Sequence, residues 1–331
     1  MKRILVIGGG SIGERHVRCF QHTGRADVSL CEVNDDVRQR VAQTYRLRHS
    51  FRSLDDALAQ SHDAAVVCTP AHLHVPTAVR LAKRGIALLI EKPLSISLDG
   101  VGELADVVRE AGLPVSIAYV YRAHPALVEM KRALDDGRFG RPVEVVVTSG
   151  QHFPLYRPAY REIYYTRHET GGGAIQDALT HLLNAAEWLV GPITRLVADA
   201  EHCVLEGVEV EDTVHLIARH GDVLGSFSLN QHQPPNESTL TVICERGAAR
   251  LESHRRRWLS GSAPGAEWTV EAEFALERDD LFVRQANAFL DVLDGRAEPA
   301  CTLEEARQTL CVNLAALQSV KERRWIEISA E

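Results

Sequence analysis

Residues 4–13 read Ile4-Leu5-Val6-Ile7-Gly8-Gly9-Gly10-Ser11-Ile12-Gly13. Four consecutive apolar residues bounded by glycine describe a short strand buried on both faces, the pattern of a parallel sheet rather than of a half-exposed one. The glycines fall in the spacing G-x-G-x-x-G directly after that strand and at the start of an amphipathic stretch, the context that lifts this motif above a chance match. Gly8 permits the tight turn, Gly10 lets backbone approach a pyrophosphate, and Gly13 lets the helix pack against the strand, so that phosphates meet the first turn at Ser11 and Ile12. The ordinary alternative is a glycine-rich turn that binds nothing.

Working outward, the runs 28–30, 64–68, 87–90 and 115–118 repeat the buried-strand pattern, and the stretches 77–85 and 99–112 between them carry apolar residues at helical spacing and end in glycine. Strand and helix in alternation predict a doubly wound parallel sheet. Glu32 stands nineteen residues after Gly13, at the end of the second strand. A carboxylate there accepts hydrogen bonds from both ribose hydroxyls and repels a 2′-phosphate, which favours NAD over NADP. Arg38 and Arg40 weigh the other way, although at helical spacing they read as surface residues.

Beyond residue 121 the pattern changes to a helix at 125–136, a strand at 142–149, a Tyr/Arg-rich loop, a helix at 174–190 and several alternating strands, among them 213–218, 223–229, 240–244 and 248–251. Two helices close the chain, the last opened by the capping box Thr302-Leu303-Glu304-Glu305. The expected fold is therefore α/β: an N-terminal Rossmann domain over 1–120, then an α+β domain over 121–331 with a large, mostly antiparallel open sheet. That second domain is expected to bind substrate and to carry the oligomer contacts.

Composition narrows the function. The 331 residues include 45% hydrophobic and 25% charged, with a formal net charge of −8, so nothing asks for a nucleic acid, and the tract Arg255-Arg256-Arg257 reads as solvated surface. Seven scattered cysteines without a Cys-x-x-Cys fit neither a disulfide framework nor a zinc site and point to a reducing, cytoplasmic setting. Neither a signal-peptide core nor a membrane span is expected. Histidines number fifteen, and His72-Leu73-His74 looks like a pair, yet no further ligands stand at a recognisable spacing, so no metal is expected.

Three further stretches join the glycine loop: Thr69-Pro70-Ala71-His72-Leu73-His74, Glu91-Lys92-Pro93, and Gly171-Gly172-Gly173-Ala174-Ile175-Gln176-Asp177-Ala178-Leu179-Thr180-His181. Together they resemble the glucose-fructose oxidoreductase/inositol dehydrogenase (Gfo/Idh/MocA) family over nearly the whole chain, with Ala71 departing from the polar residue that many relatives carry. The resemblance implies NAD(P)-dependent dehydrogenase or reductase activity on a CH–OH group, a homodimer or homotetramer, and a catalytic trio at Lys92, Asp177 and His181. Gly8, Gly10, Ser11, Ile12, Gly13, Glu32, Thr69, Pro70, His74, Glu91 and Lys92 are the expected cofactor contacts.

The residues support those roles on their own chemistry. Lys92 follows a parallel strand at its carboxyl end, where ligands sit in open α/β sheets. Asp177 and His181 stand four apart on a helix, so the carboxylate can orient the imidazole and stabilise its charge as it gains a proton, as suits a general base. A structural Asp/His hydrogen bond is the plainer alternative. Four of the seven tyrosines lie in 152–165, where Tyr and Arg suit hydroxyls, a carboxylate or a diphosphate. Tyr121, His152, Tyr156, Arg161 and Tyr164 are the expected substrate contacts beside the trio, for a sugar, polyol, sugar acid or nucleotide sugar. The competing functions are a redox-neutral enzyme that retains NAD, of glycosidase or epimerase type, and a non-catalytic sensor of dinucleotide or sugar.

Overall fold

The computed structural model describes residues 1–162 and 164–328; Ile163 of the tyrosine loop and the end of the expected second domain, 329–331, lie outside the described residues. The chain forms two compact units, Met1–Ala123 with Glu277–Arg307, and His124–Leu276 with Gln308–Glu331.

In the first unit, β1 (Lys2–Ile7), α1 (Ser11–His22), β2 (Ala26–Cys31), α2 (Asp35–Thr44), β3 (Ser50–Phe51), α3 (Leu54–Leu58), β4 (Ala64–Val67), α4 (His74–Ala82), β5 (Ala87–Ile90), α5 (Val101–Ala111) and β6 (Val115–Ile117) alternate along the chain. The strands run in the order β3-β2-β1-β4-β5-β6, every pair parallel. Ile4, Leu5, Val6 and the whole of β4 and β5 are buried, as strands covered by helices on both faces must be.

The helix α9 (Asp280–Leu293) returns to this unit, a departure from a boundary near residue 120. The cause is apolar. Ala286, Phe289 and Leu290 of α9 share one core cluster with Val17 and Phe20 of α1 and with Ile4 and Val6 of β1. Phe20 and Phe289 meet edge to face at 6.4 Å. Charges flank that seam: Asp279 takes Arg18 and, at 3.3 Å, Arg15, while Arg25 reaches Asp291 at 2.8 Å and Asp294 at 3.0 Å.

The second unit holds α6 (Pro125–Asp135), β7 (Pro142–His152), the single turn α7 (Phe153–Tyr156), α8 (Thr180–Val190), β8 (Arg195–Glu201), β9 (Thr213–His220), β10 (Val223–Asn230), β11 (His232–Cys244), β12 (Gly247–Glu252), β13 (Arg257–Gly261) and β14 (Thr269–Glu273). After α10 (Leu303–Glu322), β15 (Ile326–Glu327) completes a nine-stranded sheet in the order β14-β13-β12-β11-β7-β10-β9-β8-β15. Only β7 and β10 pair in parallel; the other pairs are antiparallel. Along β9, Val214, Leu216, Ala218 and His220 are buried while His215 and Ile217 are exposed, so one face is core and the other open. The capping box before α10 forms in both directions, with the Thr302 amide donating to Glu305 at 2.8 Å and the Glu305 amide to the Thr302 hydroxyl at 3.2 Å.

Candidate functional site

The glycine loop lies between β1 and α1 with the three roles its spacing predicts. Gly8 has φ +95°, and a Cβ there would stand 2.7 Å from the carbonyl oxygen of Cys68. A Cβ on Gly13 would fall 1.8 Å from the Gly8 oxygen, whereas one on Gly10 would meet nothing within 4 Å. The first and third glycines are thus required by the fold itself, and the middle one borders open space. Among the described residues no side-chain hydrogen bond caps the N-terminus of α1 at Gly10, and Ser11 beside it is exposed. Ile12 instead packs on the core cluster, so its contribution to a ligand is limited to backbone.

Glu32 stands beside this loop, one carboxylate oxygen accepting from the Gly9 amide at 2.5 Å and the other from the Asn34 amide at 2.7 Å. Arg38 donates to the Glu32 carbonyl at 2.9 Å and pairs with Asp35 at 2.7 Å, and Arg40 pairs with Glu14 at 2.9 Å. Both arginines are therefore engaged within the protein, and the group facing the loop is an acceptor. Thr69 follows β4, and its hydroxyl oxygen is buried with no hydrogen-bond partner among the described residues. Such an orphan fits a residue built to meet a ligand. Pro70 beside it is exposed. The loop, the uncapped amides, the Glu32 carboxylate and Thr69 together fit an NAD molecule.

His74 and Glu91, expected as cofactor contacts, face inward. His74 is 2% exposed, with Nδ1 2.9 Å from the Pro93 carbonyl and Nε2 2.7 Å from the Thr69 carbonyl. Burial holds its imidazole below the ordinary value, so one ring N–H or the other donates at a time. Glu91 is 5% exposed, with Oε1 2.7 Å from Nε2 of His16 and Oε2 accepting the Lys92 amide at 3.1 Å. Burial pushes its carboxyl up, but the His16 hydrogen bond and charge outweigh that and hold it below the usual carboxylate range. Lys92 itself is half-buried, and Tyr121 follows β6 in a short helical turn, also half-buried.

In the second unit the run expected as one helix opens with a π-helical turn, Ile175–Leu179, in which the Thr180 amide reaches back five residues to the Ile175 carbonyl, and continues as α8. Turns of this type recur at functional sites. Asp177, Ala178 and His181 are half-buried, while Gly171 to Gln176, Leu179 and Thr180 around them are buried, so Asp177 and His181 are the polar side chains on the accessible side of the run. The Tyr164 hydroxyl donates to Oδ1 of Asp177 at 2.7 Å. The start of the run is pinned by Glu211, whose carbonyl accepts the Ala174 amide at 2.9 Å and whose Oε1 accepts the Ile175 amide at 2.9 Å. Its other oxygen lies 2.5 Å from Nε2 of His168, and that contact raises the His168 pKa above the ordinary imidazole value. Gly173, at φ +89°, leaves room for this carboxylate, since a Cβ there would meet it at 2.6 Å.

The tyrosine loop divides. Tyr160 and Tyr165 are buried with Phe153, Leu205, Val208 and Val210, and the Tyr165 hydroxyl donates to Gln231. Arg161, expected on substrate, donates through Nε to the Glu206 carbonyl at 2.9 Å and pairs with its carboxylate at 3.2 Å. Its guanidinium thus pairs with a residue 45 positions onward, outside the loop, at the surface. His152, Tyr156 and Tyr164 are exposed. Among the described residues no group of His, Cys, Asp and Glu could hold a metal ion, and no helix is long and apolar enough to cross a membrane.

A parallel Rossmann sheet with a glycine-loop cradle and an acceptor for ribose, joined in one chain to a unit built on an open sheet, defines an NAD-binding oxidoreductase. Two family models match, "Oxidoreductase family, NAD-binding Rossmann fold" over residues 2–119 and "GFO/IDH/MocA C-terminal domain" over residues 127–250. The chain belongs to the Gfo/Idh/MocA family of oxidoreductases. It is 24% identical to the inositol 2-dehydrogenase of Rhizobium meliloti (strain 1021), with 99% of each chain covered. It is 23% identical to the D-apiose dehydrogenase of Paraburkholderia graminis, covering 98% of this chain and 89% of that one. Among solved structures, levoglucosan dehydrogenase in complex with NADH superposes with a TM-score of 0.90 at 18% identity, covering 99% of both chains. The WlbA dehydrogenase from Bordetella pertussis, in complex with NADH and UDP-GlcNAcA, gives 0.83 at 26% identity over 99% of both.

Proposed function

We propose that this oxidoreductase converts a secondary hydroxyl of a sugar or polyol to a carbonyl, or the reverse. His181 takes the hydroxyl proton, Asp177 orients the imidazole and stabilises the charge it gains, and Lys92 donates a hydrogen bond to the oxygen that becomes the carbonyl. NAD, when bound, supplies the acceptor for the hydride that leaves the same carbon. The observation that carries this reading is that Asp177 and His181 are only half-buried in a mostly buried helical stretch, with Asp177 accepting from the Tyr164 hydroxyl. The relatives named above as acting on inositol, apiose and levoglucosan support a carbohydrate-like substrate.

The test follows NADH absorbance with inositols, aldoses, anhydro sugars and a nucleotide sugar, in the wild type and in Lys92→Ala and His181→Ala. Loss of a proton-transfer group typically lowers turnover by about 10²–10⁴-fold, with NADH affinity little altered. A His181→Ala protein at wild-type turnover refutes the base assignment. NADH binding without turnover on any substrate favours a sensor, and product retaining the substrate's oxidation state favours a redox-neutral enzyme.

The oligomer is read from the second unit. Ile217, Leu224 and Ile243 are 51%, 45% and 37% exposed on the open face of the sheet, around a shallow depression between Thr148, Asp199, His215 and Ser226. Apolar side chains at that density on one face suit a self-complementary contact, and we assign the face to a homodimer, alone or within a tetramer. Light scattering decides, since a particle of one chain's mass at micromolar concentration would exclude it. Cys19, Cys31, Cys68, Cys203 and Cys244 carry free thiols, and burial pushes those of Cys19, Cys31 and Cys244 up to about 11, which supports the cytoplasm as the compartment.

A further inference from the structure

The chemistry assigned to Lys92 needs its ammonium held at one place, yet the residue sits on a loop. The structure supplies a tether. His16 lies one helical turn after Gly13 on α1, 1% exposed, between the glycine loop and the core. Its Nε2 meets Oε1 of Glu91 at 2.7 Å, and the other oxygen of the same carboxylate accepts the Lys92 amide at 3.1 Å. The Phe282 ring of α9 packs against the imidazole in a T-shaped contact at 5.8 Å. On the opposite side of the loop, His74 bridges the carbonyls of Pro93 and Thr69. The helix that opens at the dinucleotide cradle, the loop after β4 and the loop after β5 are thus joined through three buried polar side chains that the assigned chemistry does not otherwise use.

We propose that His16 and Glu91 are positioning residues for Lys92, a buried link that fixes the lysine loop against the dinucleotide-binding helix. This rests on Lys92 acting in the reaction as assigned above. A core pair kept only for stability could equally be two apolar residues, because replacing both members of a buried ion pair by apolar groups is often neutral or stabilising, whereas removing one strands the other. The decisive variant is therefore the double replacement His16→Leu/Glu91→Leu, with His16→Gln as the conservative partner that keeps a donor at the place of Nε2.

Three readouts are taken in parallel: NADH dissociation constant by fluorescence, turnover on the polyol or sugar that the wild type uses best, and the rate of Lys92 acetylation by limiting acetic anhydride, read by peptide mass spectrometry against Lys131. The expected result for the double variant is a kcat at least tenfold lower, Lys92 acetylation at least threefold faster, and NADH affinity within threefold. His16→Gln should hold kcat within threefold of wild type. A folded double variant with wild-type kcat and acetylation overturns the proposal, as does a His16→Gln protein that loses as much as the double variant. Should the double variant fail to fold, Glu91→Gln decides: kcat lowered with NADH affinity unmoved supports the link, and unchanged kcat overturns it. Lys92→Ala in the same series separates the two levels. Wild-type turnover in Lys92→Ala removes the reading on which the proposal stands, while loss there without an effect of the His16 and Glu91 variants removes the proposal alone.

Discussion

If Glu32 sets the choice of dinucleotide, as proposed, its replacement should relax that choice measurably. Its carboxylate is held by the amides of Gly9 and Asn34 at 2.5 and 2.7 Å, and the guanidinium of Arg38 is taken by Asp35 and by the Glu32 carbonyl. On the proposed reading the ribose would therefore meet a carboxylate fixed in place. Hydrogen bonds to a charged group contribute about 1.5–3 kcal/mol each, and water partly replaces them at a half-exposed site. Glu32→Ala should then weaken NADH by about 1.4–2.8 kcal/mol, roughly 10–100-fold in Kd. For NADPH the sign is opposite, because the like charge facing its 2′-phosphate, a repulsion of several kcal/mol, is gone. The wild-type preference for NADH should collapse by about three orders of magnitude, and Glu32→Gln, neutral but similar in shape, should fall between. Fluorescence titration of the three proteins with both reduced cofactors is the assay, with thermal melts to show that the Gly9–Asn34 turn survives. Wild-type protein binding NADPH within threefold of NADH, or a folded Glu32→Ala with an unchanged NADH Kd, would refute the reasoning.

Other predictions test the frame around the sites. Phe289→Ala, at a 2% exposed position in contact with Phe20, should destabilise the protein by about 3–5 kcal/mol in urea denaturation. A loss below about 1 kcal/mol would mean that α9 is not part of the first core. Gly13→Ala, whose Cβ would lie 1.8 Å from the Gly8 oxygen, must push α1 off β1 and should abolish NADH binding in titration calorimetry. His168 bears on pH. Its folded pKa is raised by Glu211, so its contribution to stability is fully present below the ordinary imidazole value and is lost as pH rises through the higher folded value. Chemical denaturation from pH 6 to 9 should show that extra loss in wild type but not in His168→Gln.

Much of this was legible because local rules and global fold agree. The run Ile4 to Gly13 needs no partner to announce a buried strand, a tight turn and a helix start, and Glu32 follows from chain geometry. The return of 277–307 was not legible, since an amphipathic helix shows that it has an apolar face but not which core the face joins. The two-residue strand β3 is too short to show a period. Tyr160, Tyr165 and Arg161 look like ligand contacts by type, yet their partners, Leu205 to Val210, Gln231 and Glu206, lie some 40 to 70 residues onward. The His16–Glu91 pair escaped for the same reason: at a separation of 75 residues neither member marks the other. The π-helical turn before α8 leaves no signature in the residue pattern, because it changes the hydrogen bonding of the run and not its composition.

The discontinuity of the first unit has a consequence for how the protein is made. When the first 123 residues have left the ribosome, the apolar seam that Phe289 and Leu290 will cover, around Val17 and Phe20, is still open to water. Roughly 150 residues separate that segment from Glu277, and at the usual pace of synthesis, about 5–20 residues per second, the gap lasts about 8 to 30 s. During that interval all six strands of the parallel sheet are present without the helix that seals it. Chaperone capture and aggregation during overexpression should therefore concentrate on α1. Polar substitutions there would improve the yield of a truncated 1–123 fragment while harming the complete chain.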